Sequence, residues 1–132
     1  MTYLEKIAEI IRQYPSLTTA GFNVRGEMNQ SWEDCEDAFN ACVAAITPLK
    51  RNIRPSPSAP SSYGLKHDVE RLSRNNGINL YVSNGAACAA LIWLGIPFVV
   101  YGPNAFAAFN LIEYRKFRND ILRVYEAHRL AA

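Results

Sequence analysis

Residues 83–102 read SNGAACAALIWLGIPFVVYG, and how this stretch is read decides the fold. No Asp, Glu, Lys or Arg occurs from residue 75 to residue 110, so a membrane span has to be tested first. Gly85 to Gly102 supplies 18 uncharged residues, close to the minimum for a helix that crosses a bilayer. Gly95 and Pro97 interrupt that run, and Pro97 would remove a helical hydrogen bond and clash with the preceding turn. The aliphatic piece before Gly95 is only about ten residues long, too short to span. The stretch therefore reads as a buried helix, capped by Ser83, running through Leu94 and stopped by Gly95 in the left-handed conformation. Pro97 to Tyr101 is β-branched and aromatic, which predicts a strand ending at a Gly102-Pro103 turn.

Working outward, Leu4, Ile7, Ala8 and Ile11 recur at helical spacing and predict an amphipathic helix over residues 2–13, ended by Pro15. Residues 16–29 mix Thr, Phe and Val with Gly21 and Gly26, a short hairpin or a loop. Ser31 opens the next helix, its hydroxyl placed to accept from a free backbone N–H, and Pro48 closes it. Trp32, Cys35, Phe39, Cys42, Val43 and Ile46 share one face of it. Residues 48–62, PLKRNIRPSPSAPSS, cannot hold a helix and read as an extended linker. A third helix follows from Ser62 to Arg74, burying Leu65, Val69 and Leu72, and NNGIN at 75–79 turns the chain into a brief strand at Leu80–Val82. A last helix, Asn110 to His128, carries Tyr114, Phe117, Ile121, Val124 and His128 at alternating spacings of three and four. The expected fold is α+β, mainly α, with about five helices and a small two- or three-stranded β element. It forms one domain over residues 1–132: an acidic helical part at 1–47, a Pro-rich basic linker at 48–62 and a helical core at 62–132.

Composition supports that reading. A chain of 132 residues has room for one core, and 49% hydrophobic against 20% charged residues is globular rather than disordered. Three cysteines, Cys35, Cys42 and Cys88, form an odd set without a CxxC pair, which argues against a disulfide framework and fits a reducing compartment. Glu5 and Glu9 interrupt the apolar positions of the first helix, unlike a secretory signal, so a cytoplasmic location is expected. The net charge of +2 conceals a division. Residues 1–47 carry three basic and seven acidic side chains, residues 48–74 six basic and two acidic, and residues 111–132 five and three.

The chain offers little catalytic chemistry. His67 and Glu70 lie three apart, but the only other histidine, His128, is in a distant element, so a polar helix face explains the pair better than a metal site. Cys35 and Cys42 lie on an apolar stripe, and Cys88 stands among alanines without a neighbouring base or cation. No GxxxxGK[ST], GxGxxG or GxSxG pattern occurs, so neither a cofactor nor an enzymatic activity is expected.

Three features point to binding instead. His67, Arg71 and Arg74 form a basic stripe opposite the buried residues of the third helix, with Lys50, Arg51 and Arg54 preceding it in the linker. Such a face and arm can neutralise phosphates, while the bland alternative is a solvated surface with Lys66–Glu70 as an ordinary helix pair. Ser83, Asn84 and Gly85 open the central helix, where exposed N–H groups could hold an anion and Gly85 would let a partner approach; simple capping by Ser83 explains the same residues. Glu33, Asp34, Glu36 and Asp37 could mimic phosphates against a basic protein target, or serve only the helix dipole.

Three blocks, SSYGLKHDVE (61–70), YVSNGAACAALIWLGI (81–96) and GPNAFAAFNL (102–111), together resemble a family of small uncharacterised proteins encoded by phages and other bacterial mobile elements. Its pattern is SYxLKHxxE, then YVSNGxFIxAA, then NAxFN, and the likeness covers roughly residues 51–111. Ala87 and Cys88 depart from the family's Phe-Ile pair, and NAFAAFN is longer than its closing block. The resemblance implies a mobile-element accessory protein working inside a bacterial host cell, and with it two expectations. One is an inhibitor of host defence machinery, anti-CRISPR-like, that binds a host protein or nucleoprotein complex. The other is a regulator that contacts duplex DNA through phosphates. The apolar fourth helix has no Arg, Lys or Gln to read bases, which favours the inhibitor. A homodimer through the last helix is left open, since its heptad pattern spans only two repeats.

Overall fold

In the computed structural model, which describes residues 1–131, the uncharged stretch forms the central helix α4 (Asn84–Trp93), named here by its place in the chain order. Every residue from Gly85 to Leu91 is buried, as befits a helix that is apolar all round. Ser83 Oγ accepts the Ala86 N–H at 3.1 Å, as the capping reading required. At the other end Ile96 N–H reaches Leu91 O and Gly95 N–H reaches Ile92 O, both at 3.0 Å, with Gly95 at φ +68°. This paired closure needs a left-handed residue, which is why a glycine sits there.

The other helices surround α4. α1 (Tyr3–Gln13) starts in a capping box, with Glu5 N–H on Thr2 Oγ1 and Thr2 N–H on Glu5 Oε1, and buries Tyr3, Ile7 and Ile10. α2 (Glu36–Ile46) follows a 3₁₀ turn at Glu33–Cys35 and buries Ala38, Phe39, Cys42 and Ile46. The expected cap at Ser31 is not formed. The Ser31 hydroxyl donates to Asp34, because the tight turn already satisfies the Asp34 and Cys35 N–H groups on the carbonyls of Ser31 and Trp32.

α3 (Ser62–Asn75) is capped by Ser61 and packs against α2, α4 and α5 (Leu111–Ala131). Its buried side differs from expectation: Leu72 is only half-buried, and Lys66, Asp68 and Ser73 go inside with Leu65 and Val69. On α5, Tyr114 and Ile121 are buried, whereas Val124 and His128 face solvent and correct the expected stripe.

Two antiparallel hairpins complete an α+β, mainly α fold. Leu17–Thr18 (β1) pairs with Gly21–Phe22 (β2), and Phe98–Tyr101 (β3) pairs with Asn104–Ala107 (β4) around Gly102-Pro103. A two-residue loop of this kind favours a glycine with positive φ at its first position, and Gly102 has φ +59°. Leu80–Val82 is not a strand: no neighbouring strand pairs with it, and Val82 N–H is taken by the Glu70 side chain at 3.1 Å. The linker holds no helix but is not a loose arm either. Asn52 N–H bonds to Ala108 O at 2.7 Å, Asn110 N–H to Lys50 O at 2.9 Å and Ala107 N–H to Pro60 O at 2.9 Å, so both its ends are pinned to the β4–α5 segment.

The tightest contact is at the start of α4, where a Cβ built on Gly85 would lie 2.1 Å from Thr18 O and 2.6 Å from the Thr19 backbone. Gly85→Ala is expected to lower stability in urea unfolding by about 3 kcal/mol, since backbone has to move. Gly77→Ala, at φ +79° with open space beside it, should cost only about 1 kcal/mol.

Candidate functional site

α3 carries the chemistry of this chain because it is enclosed by neighbours yet rich in charge. Asp68 is 1% exposed, and its Oδ2 accepts from Tyr114 Oη at 2.8 Å and Arg118 Nε at 2.9 Å. Its Oδ1 faces Arg71 at 3.4 Å. One buried carboxylate thus holds two guanidinium groups, leaving a local excess of one positive charge. Burial and the Asp68 charge push the Tyr114 phenol far above its usual range. Burial works against the Arg118 charge, but Asp68 outweighs it and the guanidinium is held more firmly protonated than usual. Arg118 also lies over the Tyr114 ring, 5.2 Å from its centroid.

The expected basic stripe is brought together. His67, Arg71 and Arg74 line one cleft of about 500 Å³ with Glu70, Tyr81 and Tyr125. Arg74 bonds to the neutral amide of Asn79 at 3.1 Å, and among the described residues no carboxylate pairs with it. A smaller hollow of about 180 Å³ continues past Arg74 and Tyr125 to His128 and Arg129. His67 Nδ1 meets Glu70 Oε1 at 3.2 Å, so the pair read as a polar face forms an internal contact. Among the described residues no group of three or more His, Cys, Asp or Glu is placed to hold a metal ion.

The linker cations stand elsewhere. Lys50 N–H bonds to Glu113 Oε1 at 2.8 Å, and the Arg51 guanidinium donates to Leu94 O, both near the start of α5. Arg74 lies beside Tyr125, twelve residues further along that helix, or about 18 Å at helical rise. Arg54 is exposed. Lys50, Arg51 and Arg54 therefore do not extend the α3 cleft as the linear sequence had suggested. The acidic group, Glu33, Asp34, Glu36 and Asp37, is exposed throughout, and among the described residues none of it forms an ion pair.

The donors on which the anion reading of Ser83, Asn84 and Gly85 relied are engaged within the chain. The Gly85 N–H is taken by Thr19 O at 3.0 Å and the Ala86 N–H by Ser83, so the chain's own β1–β2 loop fills the space that glycine opens. Asn84 Nδ2 is likewise spent on Ala20 O, Pro103 O and Asn104 Oδ1. Cys35, Cys42 and Cys88 are all buried. Burial pushes the Cys88 thiol up to about 11, the opposite of an activated nucleophile.

Sequence reasoning missed Lys66, Tyr63, Tyr81, Tyr125, Asp68 and Arg118. The spacing of Tyr63, Lys66, His67 and Glu70 does place them on adjoining faces of α3. The partners from 81 and 114–125 arrive only through the tertiary fold. The three quoted blocks also meet in space. Ala105 N–H bonds to Ser62 Oγ at 3.0 Å, Val82 N–H to Glu70, and Asn84 to Asn104. A scan against protein-family models, a search of curated proteins and a search of solved structures each found no match to this chain.

Tyr114→Phe is expected to cost about 2 kcal/mol in chemical denaturation, the scale of a buried hydrogen bond to a charged group. Asp68→Ala should cost more, because it releases both guanidinium groups and the phenol together. The double variant should cost clearly less than the two singles combined, since they share one network.

Proposed function

We propose that this protein acts by binding nucleic acid, holding the phosphate backbone in the cleft between α3 and α5. The observation that carries the reading is the convergence of His67, Arg71 and Arg74 with Tyr81 and Tyr125 in one concave surface. Cations there meet phosphate oxygens, and the Asp68 carboxylate steadies Arg71 while its charge is shared with Arg118 outside the cleft. The aromatic rims offer contact area at low entropic cost. α3 is flanked by α2, α4 and α5, so it presents a strip rather than a protruding helix for the major groove, and α4 is core. Regulation by phosphate contact is thus favoured over reading of base sequence in a duplex.

With the resemblance of residues 51–111 to mobile-element proteins, the reading extends to an accessory protein working in the cytoplasm of a bacterial host. No helix among the described residues is long and apolar enough to cross a membrane. A second reading rests on a separate observation: Glu33, Asp34, Glu36 and Asp37 are exposed without ion-pair partners among the described residues, as a phosphate-mimicking inhibitor of a host nucleoprotein complex would need. Charge reversal at those four positions should leave nucleic-acid binding intact on the first reading.

The test is nucleic-acid binding at about 50 and 200 mM salt, an interval over which phosphate contacts weaken steeply. Arg71→Ala/Arg74→Ala should weaken binding at least tenfold and reduce the salt slope by about 2, one unit for each lost phosphate contact. Binding unchanged in the double variant, or absent at low salt, removes the reading.

A further inference from the structure

Beside the cleft, on the other side of Tyr81, lies a second hollow of about 590 Å³, bounded by Tyr63, Lys66, Tyr81, Asn84, Pro103 and Asn104. Lys66 is its unusual member. The residue is 7% exposed, and a lysine so buried ordinarily needs a close anionic partner. Its contacts to the two Glu70 oxygens are both 3.4 Å, long for a charge-assisted bond. Glu70 is already engaged by His67 Nδ1 at 3.2 Å and by the Val82 N–H at 3.1 Å. The ammonium has three N–H donors and only these two long contacts to Glu70, so it keeps hydrogen-bonding capacity that its carboxylate does not use.

Two tyrosines stand beside that ammonium. Its nitrogen is 4.9 Å from the centre of the Tyr81 ring and 5.9 Å from that of Tyr63. Both residues are more than half exposed, Tyr81 at 58% and Tyr63 at 54%, so they stand as open walls and not as core packing. Tyr63 is held edge-on by His67 at 4.7 Å, which fixes its plane. At the far wall Asn104 Oδ1 accepts from Asn84, which orients the Asn104 amide; among the described residues its nitrogen has no acceptor. The hollow thus combines aromatic faces with two hydrogen-bond donors, Lys66 Nζ and Asn104 Nδ2, and no carboxylate bounds it.

We propose that this hollow holds a single unstacked nucleobase bearing ring carbonyls, thymine, uracil or guanine, from a single-stranded nucleic acid. The ring stacks on Tyr63 or Tyr81 and its carbonyl oxygens accept from Lys66 and Asn104. The inference rests on the phosphate reading of the neighbouring cleft. Tyr81 lines both cavities, so a strand whose backbone follows His67, Arg71 and Arg74 can turn one base past that ring into the hollow. A duplex keeps its bases stacked and offers none to such a site.

The experiment is fluorescence anisotropy with labelled dT and dA oligomers of about twelve nucleotides, and a duplex of equal length, at low salt. The dT strand is expected to bind about tenfold more tightly than dA, and more tightly than the duplex. Tyr63→Ala and Tyr81→Ala should each weaken dT binding about tenfold, the usual scale for losing one stacked base. Lys66→Met should bring dT down to dA. Because both tyrosines are exposed, their variants keep the fold and carry the test even if Lys66→Met does not fold by circular dichroism. Equal binding of dT and dA with no effect of either tyrosine, while Arg71→Ala/Arg74→Ala still weakens both, overturns the base pocket and leaves the phosphate cleft standing. Tighter binding of the duplex overturns the single-strand assignment. Failure of every oligomer to bind overturns both proposals.

Discussion

The structure depends on one steric constraint: α4 has to be approached closely from all sides. Gly85, Ala86, Ala87, Cys88, Ala89 and Ala90 give it a surface with almost no side-chain bulk. α1, α2 and α3 and both hairpins can therefore come near its backbone. Small residues gain little individually from leaving water, since the hydrophobic return scales with area. Their contribution is to let the helices that carry larger buried side chains, Ile10 on α1, Phe39 on α2 and Leu65 on α3, close over α4. At its first turn the approach becomes backbone on backbone, with the Thr18–Thr19 peptide seated on Gly85 and Gly21 against Pro103. Residues 17–22, 83–85 and 103–104 are locked together there, and the hollow beside Lys66 inherits its wall from that junction.

Much of this was legible in the sequence because it follows from local rules. Helical periodicity, the serine cap at 83, the glycine stop at 95 and the turn at 102–103 each act within a few residues. What was not legible depended on distant partners. Asn104–Ala107, NAFA, has little strand character of its own and becomes a strand by pairing with Phe98–Tyr101. Leu80–Val82 has the better strand composition but finds no partner, and the Glu70 side chain takes the Val82 N–H instead. The linker read as a free arm because its anchors, Ala107, Ala108 and Asn110, lie about fifty residues away along the chain.

The site shows the same division more sharply. The spacing of His67, Arg71 and Arg74 was enough to place them on one face, and the fold keeps them together. Lys66 was read with Glu70 as a pair on a solvated surface, and nothing in the sequence marked Asp68 as buried, since charged side chains ordinarily stay out. They go inside because α3 is covered on several sides, and because Tyr114, Arg118, Tyr63 and Tyr81 supply the polar and aromatic partners that make burial tolerable. No local pattern announces a partner 46 or 50 residues downstream.

Burying the anion while leaving cations at the surface has an electrostatic consequence. A surface salt bridge is weak, costs side-chain entropy and is readily exchanged, so exposed acids and bases would largely mask one another. Asp68 instead is withdrawn from solvent and holds Arg118 at 2.9 Å and Arg71 at 3.4 Å, restricting both guanidinium groups before any partner arrives. One negative charge cannot neutralise two positive ones, and Arg74, bonded to the neutral amide of Asn79, adds a further positive charge on the same helix. The conformational cost of ordering long basic side chains is then met on folding and not on binding. Such a surface owes its character to pre-organisation and not to charge number. That is how a chain with a net charge of only +2 can carry a locally positive face.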